Sequence, residues 1–426
     1  MISLGGLNAS ISTRGFLPGM LRPISISRLH LVAALAVSQL IGWGTTFSVP
    51  SVLGRAMARD LSMPFETIFG GLTAMLIVMA LASPHAGRLL VRFGAARVLA
   101  AGSVLICAGL VLLASAQGPA GYFSGWLVIG AGGAFALTVS ANAAVVEREG
   151  AGARRTIGTL MIFTGLSSTL FWPILSLSET ALGWRVTLLA AAALHAAVLI
   201  PLHLFGLPAR TSGGDGSAAG PMEETPLPGL TARQKLIAFT LIAAAASLNS
   251  LTSFGISATL IELLKLAGAA PGLALTLGSL LGVIGISARL ADLAAGDRTS
   301  PVGSGLGASL AVFAAFLLLA IVPASSFAGP SAFVVLYGAG SGVAAVARAL
   351  LPLAFFTRAE FALLSGRVAL PQNIASALSP VLYATAMEKF GLHGVLGLAL
   401  TLTALTTASM TGLWILRAEA LQPQRA

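Results

Sequence analysis

Along this chain, long apolar runs alternate with short polar stretches. A spanning helix needs about 20 mostly apolar residues. Twelve runs meet that length: 29–53, 66–86, 98–115, 122–146, 157–177, 184–207, 236–260, 272–293, 302–322, 331–356, 361–387 and 392–416. Between the sixth and seventh lies PARTSGGDGSAAGPMEETPLPGL, rich in Gly, Pro and Ser and without apolar periodicity, which reads as a flexible linker. The pattern predicts an all-α membrane protein with a tail over 1–28, a six-helix bundle over 29–207, a linker over 208–235, a second bundle over 236–416 and a tail over 417–426.

The two bundles repeat one another. Arg88 and Arg97 recur as Arg289 and Arg298, with the same spacing of nine. GWGTTF at 42–47 parallels NSLTSF at 249–254, GTLMIFTGLSSTLFWP at 158–173 parallels GRVALPQNIASALSP at 366–380, and GWR at 183–185 parallels GLH at 391–393. Ordered internal matches of this kind are the pattern of a transporter built from repeats.

Composition narrows the class. Hydrophobic residues make up 56% of the chain and charged residues only 9%, against about 25% charged in soluble domains. The net charge of +10 raises nucleic acid as a partner. The arginines, however, are scattered between apolar runs rather than gathered on one face, so that partner is not expected. Of the 24 basic residues, only Arg55, Arg59, Arg185, Lys265 and Lys389 fall on the outer side of this topology. That bias predicts cytoplasmic termini and a cytoplasmic linker. The first 28 residues hold Arg14, Arg22 and Arg28 and no long apolar core. They read as a cytoplasmic tail, or as an extension from a misplaced start, rather than a cleavable signal. The single cysteine, Cys107, excludes a disulfide framework and a thiolate metal cluster.

Three arginines and a histidine crowd SPHAGRLLVRFGAAR at Ser83–Arg97, read as a short connection in which Gly87 and Gly94 let the chain turn. GRLLVRFGAAR resembles the signature loop of the major facilitator superfamily, G-x-L-x-D-R-x-G-x-R: Gly87, Leu89, Arg92, Gly94 and Arg97 match, and Val91 stands where the acid should be. SP…GRLLVRFG and the GWG of the first helix are similar to the branch holding monocarboxylate and oxalate–formate carriers. The resemblance implies twelve transmembrane helices in two pseudo-symmetric six-helix bundles that rock around a central site. It also implies a conformational gate at Gly87, Arg92, Gly94, Arg97, Arg289 and Asp292. Asp292, the second-half equivalent of the missing acid, is expected to accept from Arg154 or Arg155, to cap the fifth helix, or merely to balance Arg289 in a solvated loop.

Polar groups within a bilayer are costly and face a cavity or another helix. Arg348 is the clearest: an anchor for an anionic solute through its fork of donors, or an arginine reaching the interface or pairing with Glu360. The repeat sets Asn142 opposite it. Gln39, Trp43 and Thr46 share one face of the first helix, beside Thr45. Asn249 and Thr252 are their second-half counterparts. Thr164, Ser168 and Trp172 share a face of the fifth helix, and Gln372 and Asn373 follow Pro371. Each is a candidate solute contact, with helix packing as the alternative. His195 is read as the only histidine deep in a span, either a proton carrier or a hydrogen-bonded packing residue.

No Asp or Glu is expected at mid-membrane, where proton-driven members of the superfamily commonly use one. No G-x-x-x-x-G-K-[ST] or H-E-x-x-H occurs, so neither nucleotide use nor enzymatic chemistry is expected. The reading is a secondary transporter of a small solute, foremost a small organic anion, with an efflux pump for drugs or toxic compounds as the alternative. It takes no cofactor or metal, has a proton as its candidate coupling ion, and works as a monomer in a bacterial inner membrane.

Overall fold

A computed structural model of the protein describes residues 26–149, 153–208, 227, 230–296, 299–322 and 328–421. The expected amino-terminal tail up to residue 25, most of the linker, Arg298 and residues 422–426 lie outside these. All regular structure among the described residues is helical. Lipid offers the backbone no partners, so each segment must satisfy its own. The first half runs α1 (Ile26–Gly44), α2 (Val49–Asp60), α3 (Phe65–Phe93), α4 (Ala95–Ala114), α5 (Pro119–Ala136), α6 (Thr138–Glu149), α7 (Ala153–Leu194), a π-helical turn (His195–Leu199) and α8 (Ile200–Phe205). The second runs α9 (Ala232–Leu266), α10 (Pro271–Ala295), α11 (Pro301–Ile321), α12 (Ala328–Phe355) and α13 (Arg358–Leu421).

Ten stretches among the described residues are long and apolar enough to cross a bilayer, against the twelve expected. The difference lies in the two longest, Ala153–Phe205 with 53 residues and Arg358–Leu421 with 64. At about 1.5 Å per residue, each exceeds twice a hydrocarbon core of about 30 Å. Each also breaks at a glycine with non-helical angles, Gly183 (φ 78°, ψ 162°) and Gly391 (φ 59°, ψ −148°). A side chain at positive φ would crowd its own backbone, so glycine is what lets the chain turn there. These two lie in the paired GWR and GLH.

The signature stretch differs from its expectation. Helix α3 continues to Phe93, and Gly94 alone separates it from α4. Gly87 therefore lies inside a helix rather than at a turn, and its value is close packing. A Cβ on Gly87 would fall 2.8 Å from the Ala362 carbonyl of α13, and one on Gly366 would fall 2.6 Å from the Ser83 carbonyl of α3. The two halves thus meet backbone to backbone at the arginine-rich end. One apolar cluster there draws on both halves, with Ala141, Ala143, Ile157 and Met161 beside Val346, Leu350 and Phe361. Toward the opposite end the halves touch edge to face through Phe47 and Phe254, ring centroids 5.8 Å apart. Outward-facing positions remain apolar, as at Leu177, Phe205, Ile321, Val381 and Phe390, which suits a lipid-covered surface.

Helix starts explain much of the local order. Thr231 with Gln234 and Thr357 with Glu360 form capping boxes at α9 and α13. Prolines open α5, α10 and α11, where no backbone donor is missed.

Candidate functional site

Two expected spans are discontinuous. Helix α1 gives way to a turn at Thr45–Ser48 before α2 begins, and α5 ends at Leu137, which is extended (φ −91°, ψ −161°) before α6. The polar face of α1 serves that second break. Gln39 Nε2 donates to the Ala136 carbonyl at 3.2 Å, and Trp43 Nε1 donates to Thr138 Oγ1 at 3.1 Å. Carbonyls freed by a break need donors, and α1 supplies one. Thr45 and Thr46 donate back to the carbonyls of Ile41 and Gly42. Buried acceptors without partners remain at Gln39 Oε1 and Asn142 Oδ1.

The hydroxyls of Thr164 and Thr252 bond their own helices, at the carbonyls of Leu160 and Leu248. Trp172 is half exposed, Asn249 and Gln372 are partly buried, and Asn373 is buried. The side chain of Ser168 lies outside the described ones. A shallow depression of about 390 Å³ lined between Leu112 and Ser124 takes in none of these residues.

Arg348 does not pair with Glu360. The Glu360 carboxylate accepts from Lys235 of α9 at 3.0 Å and closes the α13 capping box. Arg348 Nη1 instead donates to the buried hydroxyl of Ser250 at 3.0 Å. Among the described residues no carboxylate pairs with Arg348. A second guanidinium, Arg289, engages the same helix at the Gly342 carbonyl, six residues before Arg348. Arg289 Nη1 donates to the Met161 carbonyl in the other half at 2.8 Å, and its Nε donates to the Gly342 carbonyl at 3.3 Å.

Asp292 takes neither Arg154 nor Arg155. Its Oδ1 accepts from Ser304 of α11 at 2.7 Å, while Arg154 crosses the halves to the Thr299 carbonyl. Arg88, Arg92 and Arg97 are exposed, as is Val91. At the same turn the Glu147 carboxylate accepts from the Ala95 amide at 2.8 Å, capping the positive end of α4.

His195 is not the only deep histidine. His203 is also fully buried, its ring nitrogens on Ser38 (2.8 Å) and Ser103 (3.1 Å). His195 Nε2 meets Thr45 Oγ1 at 2.9 Å. Since that hydroxyl gives its proton to Ile41, the imidazole is the donor. His195 therefore bonds the residue at which α1 unwinds.

Spacing sets Gln39 and Trp43 on one face of the first helix, and a charge within an apolar run singles out Arg348. Neither signal reaches Ser250, Thr138, His203 or the Met161 carbonyl. Ser250 is one of four polar residues in NSLTSF, whose hydroxyls the pattern cannot rank. His203 follows Pro201 near the end of its span, where a histidine reads as interfacial.

The sequence profile of the Major Facilitator Superfamily matches residues 34–352. No curated protein matches the chain by sequence. Among solved structures, the crystal structure of the human organic anion transporter MFSD10 (TETRAN) is similar with a TM-score of 0.68 at 16% identity, over 90% of this chain and 99% of that one. A point variant of the E. coli fucose:proton symporter FucP gives a TM-score of 0.68 at 12% identity, over 91% and 99%. FucP in its outward conformation gives 0.63 at 15% identity, over 89% and 97%.

Proposed function

Because the chain belongs to the major facilitator superfamily, we propose that its secondary transport carries a small organic anion, with Arg348 as the residue that recognises the negative charge. The observation that carries the reading is a guanidinium within a span that has a hydroxyl, Ser250, and no carboxylate among the described residues as its partner. A charge within a span is costly unless it is well partnered, so a guanidinium held by one hydroxyl is a place where a bound anion is favoured. Arg289, which holds the Gly342 carbonyl of the same helix, adds a second positive charge. MFSD10, whose fold this chain shares, is an organic anion transporter, which is in line with this choice.

The rest of the reading is drawn from helix length and arginine bias. The two longest helices are each taken as two crossings, which makes twelve, and the arginine bias puts both termini in the cytoplasm of a bacterial inner membrane. One chain acts alone. The Phe47–Phe254 contact and the Arg289–Met161 bond lie toward opposite ends, so they are the two closures that alternate.

The test is a binding panel on purified protein. Acetate, lactate, oxalate and malonate are compared with cationic drugs by thermal shift, and hits are repeated in Arg348→Ala. Stabilisation by a carboxylate, lost in the variant, is the expected result. Carboxylates that bind equally well without that guanidinium would refute the anion site, and hits confined to the cationic drugs would favour efflux.

A further inference from the structure

Arg289 joins two features that are otherwise separate, the seam between the halves and the surroundings of Arg348. Its Nη1 reaches across to the Met161 carbonyl of α7, and its Nε holds the Gly342 carbonyl of α12. Gly342 and Arg348 lie six residues apart on one helix, about 9 Å of rise. Room for the guanidinium comes from Gly165 of α7, where a Cβ would run into Arg289 Nη1.

The repeat makes the arrangement informative. Gly366 of α13, at the paired seam, receives backbone: Ser83 and Gly87 of α3 lie against it, whereas Gly158, its counterpart in the repeat, faces the Leu293 side chain of α10. That seam is therefore closed by helix on helix at Gly87 and Gly366. The other is bridged by a charged side chain that holds a neutral carbonyl. A carbonyl binds a guanidinium less strongly than a carboxylate does, and among the described residues no carboxylate competes for Arg289.

We propose that Arg289 latches the α7/α10 seam through the Met161 carbonyl, and that an anion bound at Arg348 draws the guanidinium away and so frees that seam. The proposal rests on the anion reading above. It meets the requirement that a ligand shift a conformational equilibrium only through unequal contacts in the two states. In the closed state Arg289 contacts Met161, and in the open state it contacts the anion. Arg289 is then a positioning residue that ties opening of the arginine-rich end to an occupied site.

The experiment uses the full chain in lipid, in a Cys107→Ser background with spin labels at Arg155→Cys on α7 and Ala291→Cys on α10. The distance between labels is read with and without malonate. Without malonate the short distance should dominate, and malonate should move the population to longer distances. Arg289→Gln should show long distances already and respond no further, and Arg289→Lys should recover part of the response. Gly165→Val keeps the charge but displaces it, and should open the seam without any anion.

Calorimetry on the same samples separates the two ideas. A wild-type chain that binds no malonate overturns the anion reading and this coupling together. Malonate bound with an affinity that depends on Arg348, while the label distance stays short, overturns the coupling alone. So does an Arg289→Gln chain that keeps the wild-type distances and response. Should Arg289→Gln fail to fold, Gly165→Val and Arg289→Lys carry the same comparison.

Discussion

Arg348 keeps its charge against a hydroxyl, and a hydroxyl cannot neutralise it. A hydrogen bond to a charged group contributes about 1.5–3 kcal/mol. Arg348→Ala should therefore raise the Kd for a bound carboxylate about 10- to 100-fold, as measured by calorimetry. Arg348→Lys keeps the charge but loses the planar fork, so it should recover only part of the affinity. Gly366 tests the other seam at the same scale. Its added Cβ would lie 2.6 Å from the Ser83 carbonyl, and backbone cannot swing aside as a side chain can. Gly366→Val should destabilise the closed form by about 1–3 kcal/mol, as overpacking does, and raise labelling of cysteines placed along α3 and α13. Labelling unchanged from wild type would mean that the close approach is not needed for closure. Arg348 was legible because a charge interrupts an apolar run. The purpose of Gln39 and Trp43 was not, since they bond a helix break at Leu137, a residue that hydropathy reads as the middle of an apolar run.

At the scale of elements, the two glycine breaks were the most readable feature, because GWR and GLH recur in order and both must turn the chain. The turn at Gly183 is held by its neighbours. Arg185 pairs with Asp60 at the end of α2, donates to the Ala116 carbonyl at 2.6 Å and lies 4.1 Å over the Trp184 ring. Gly183→Val puts a branched side chain at φ 78°. It should cost about 1–2 kcal/mol, seen as a lower unfolding temperature in detergent, while Asp60→Asn at this partly exposed pair should cost under about 1 kcal/mol. A larger loss for Asp60→Asn than for Gly183→Val would reverse that ranking. The unwinding of α1 at Thr45–Ser48 was not foreseen, since hydroxyls bonded to the preceding turn leave no mark in hydropathy. His195 bonds the residue where α1 unwinds. His195→Ala should loosen that turn and speed amide exchange at Thr45–Ser48, and exchange equal to wild type would show the turn to be self-supporting.

For the whole molecule, the repeat and the superfamily loop were enough to foresee two matched helical halves. How the halves meet was hidden, because the partners are backbone carbonyls, Met161 for Arg289 and Thr299 for Arg154, and a carbonyl has no letter in a sequence. With Val91 in the acidic position and Asp292 engaged by Ser304, the contacts that join the halves at the arginine-rich end among the described residues include guanidinium–carbonyl bonds and glycine contacts. The central claim is that this closure and the Phe47–Phe254 contact open in turn around an anion site. The most direct measurement is counterflow in sealed vesicles carrying the purified protein, loaded with an unlabelled carboxylate that the binding panel identifies. Labelled carboxylate added outside should accumulate transiently above its equilibrium level, and Arg348→Ala should abolish the overshoot. Uptake no faster than in protein-free vesicles, or an overshoot untouched by Arg348→Ala, would contradict the account.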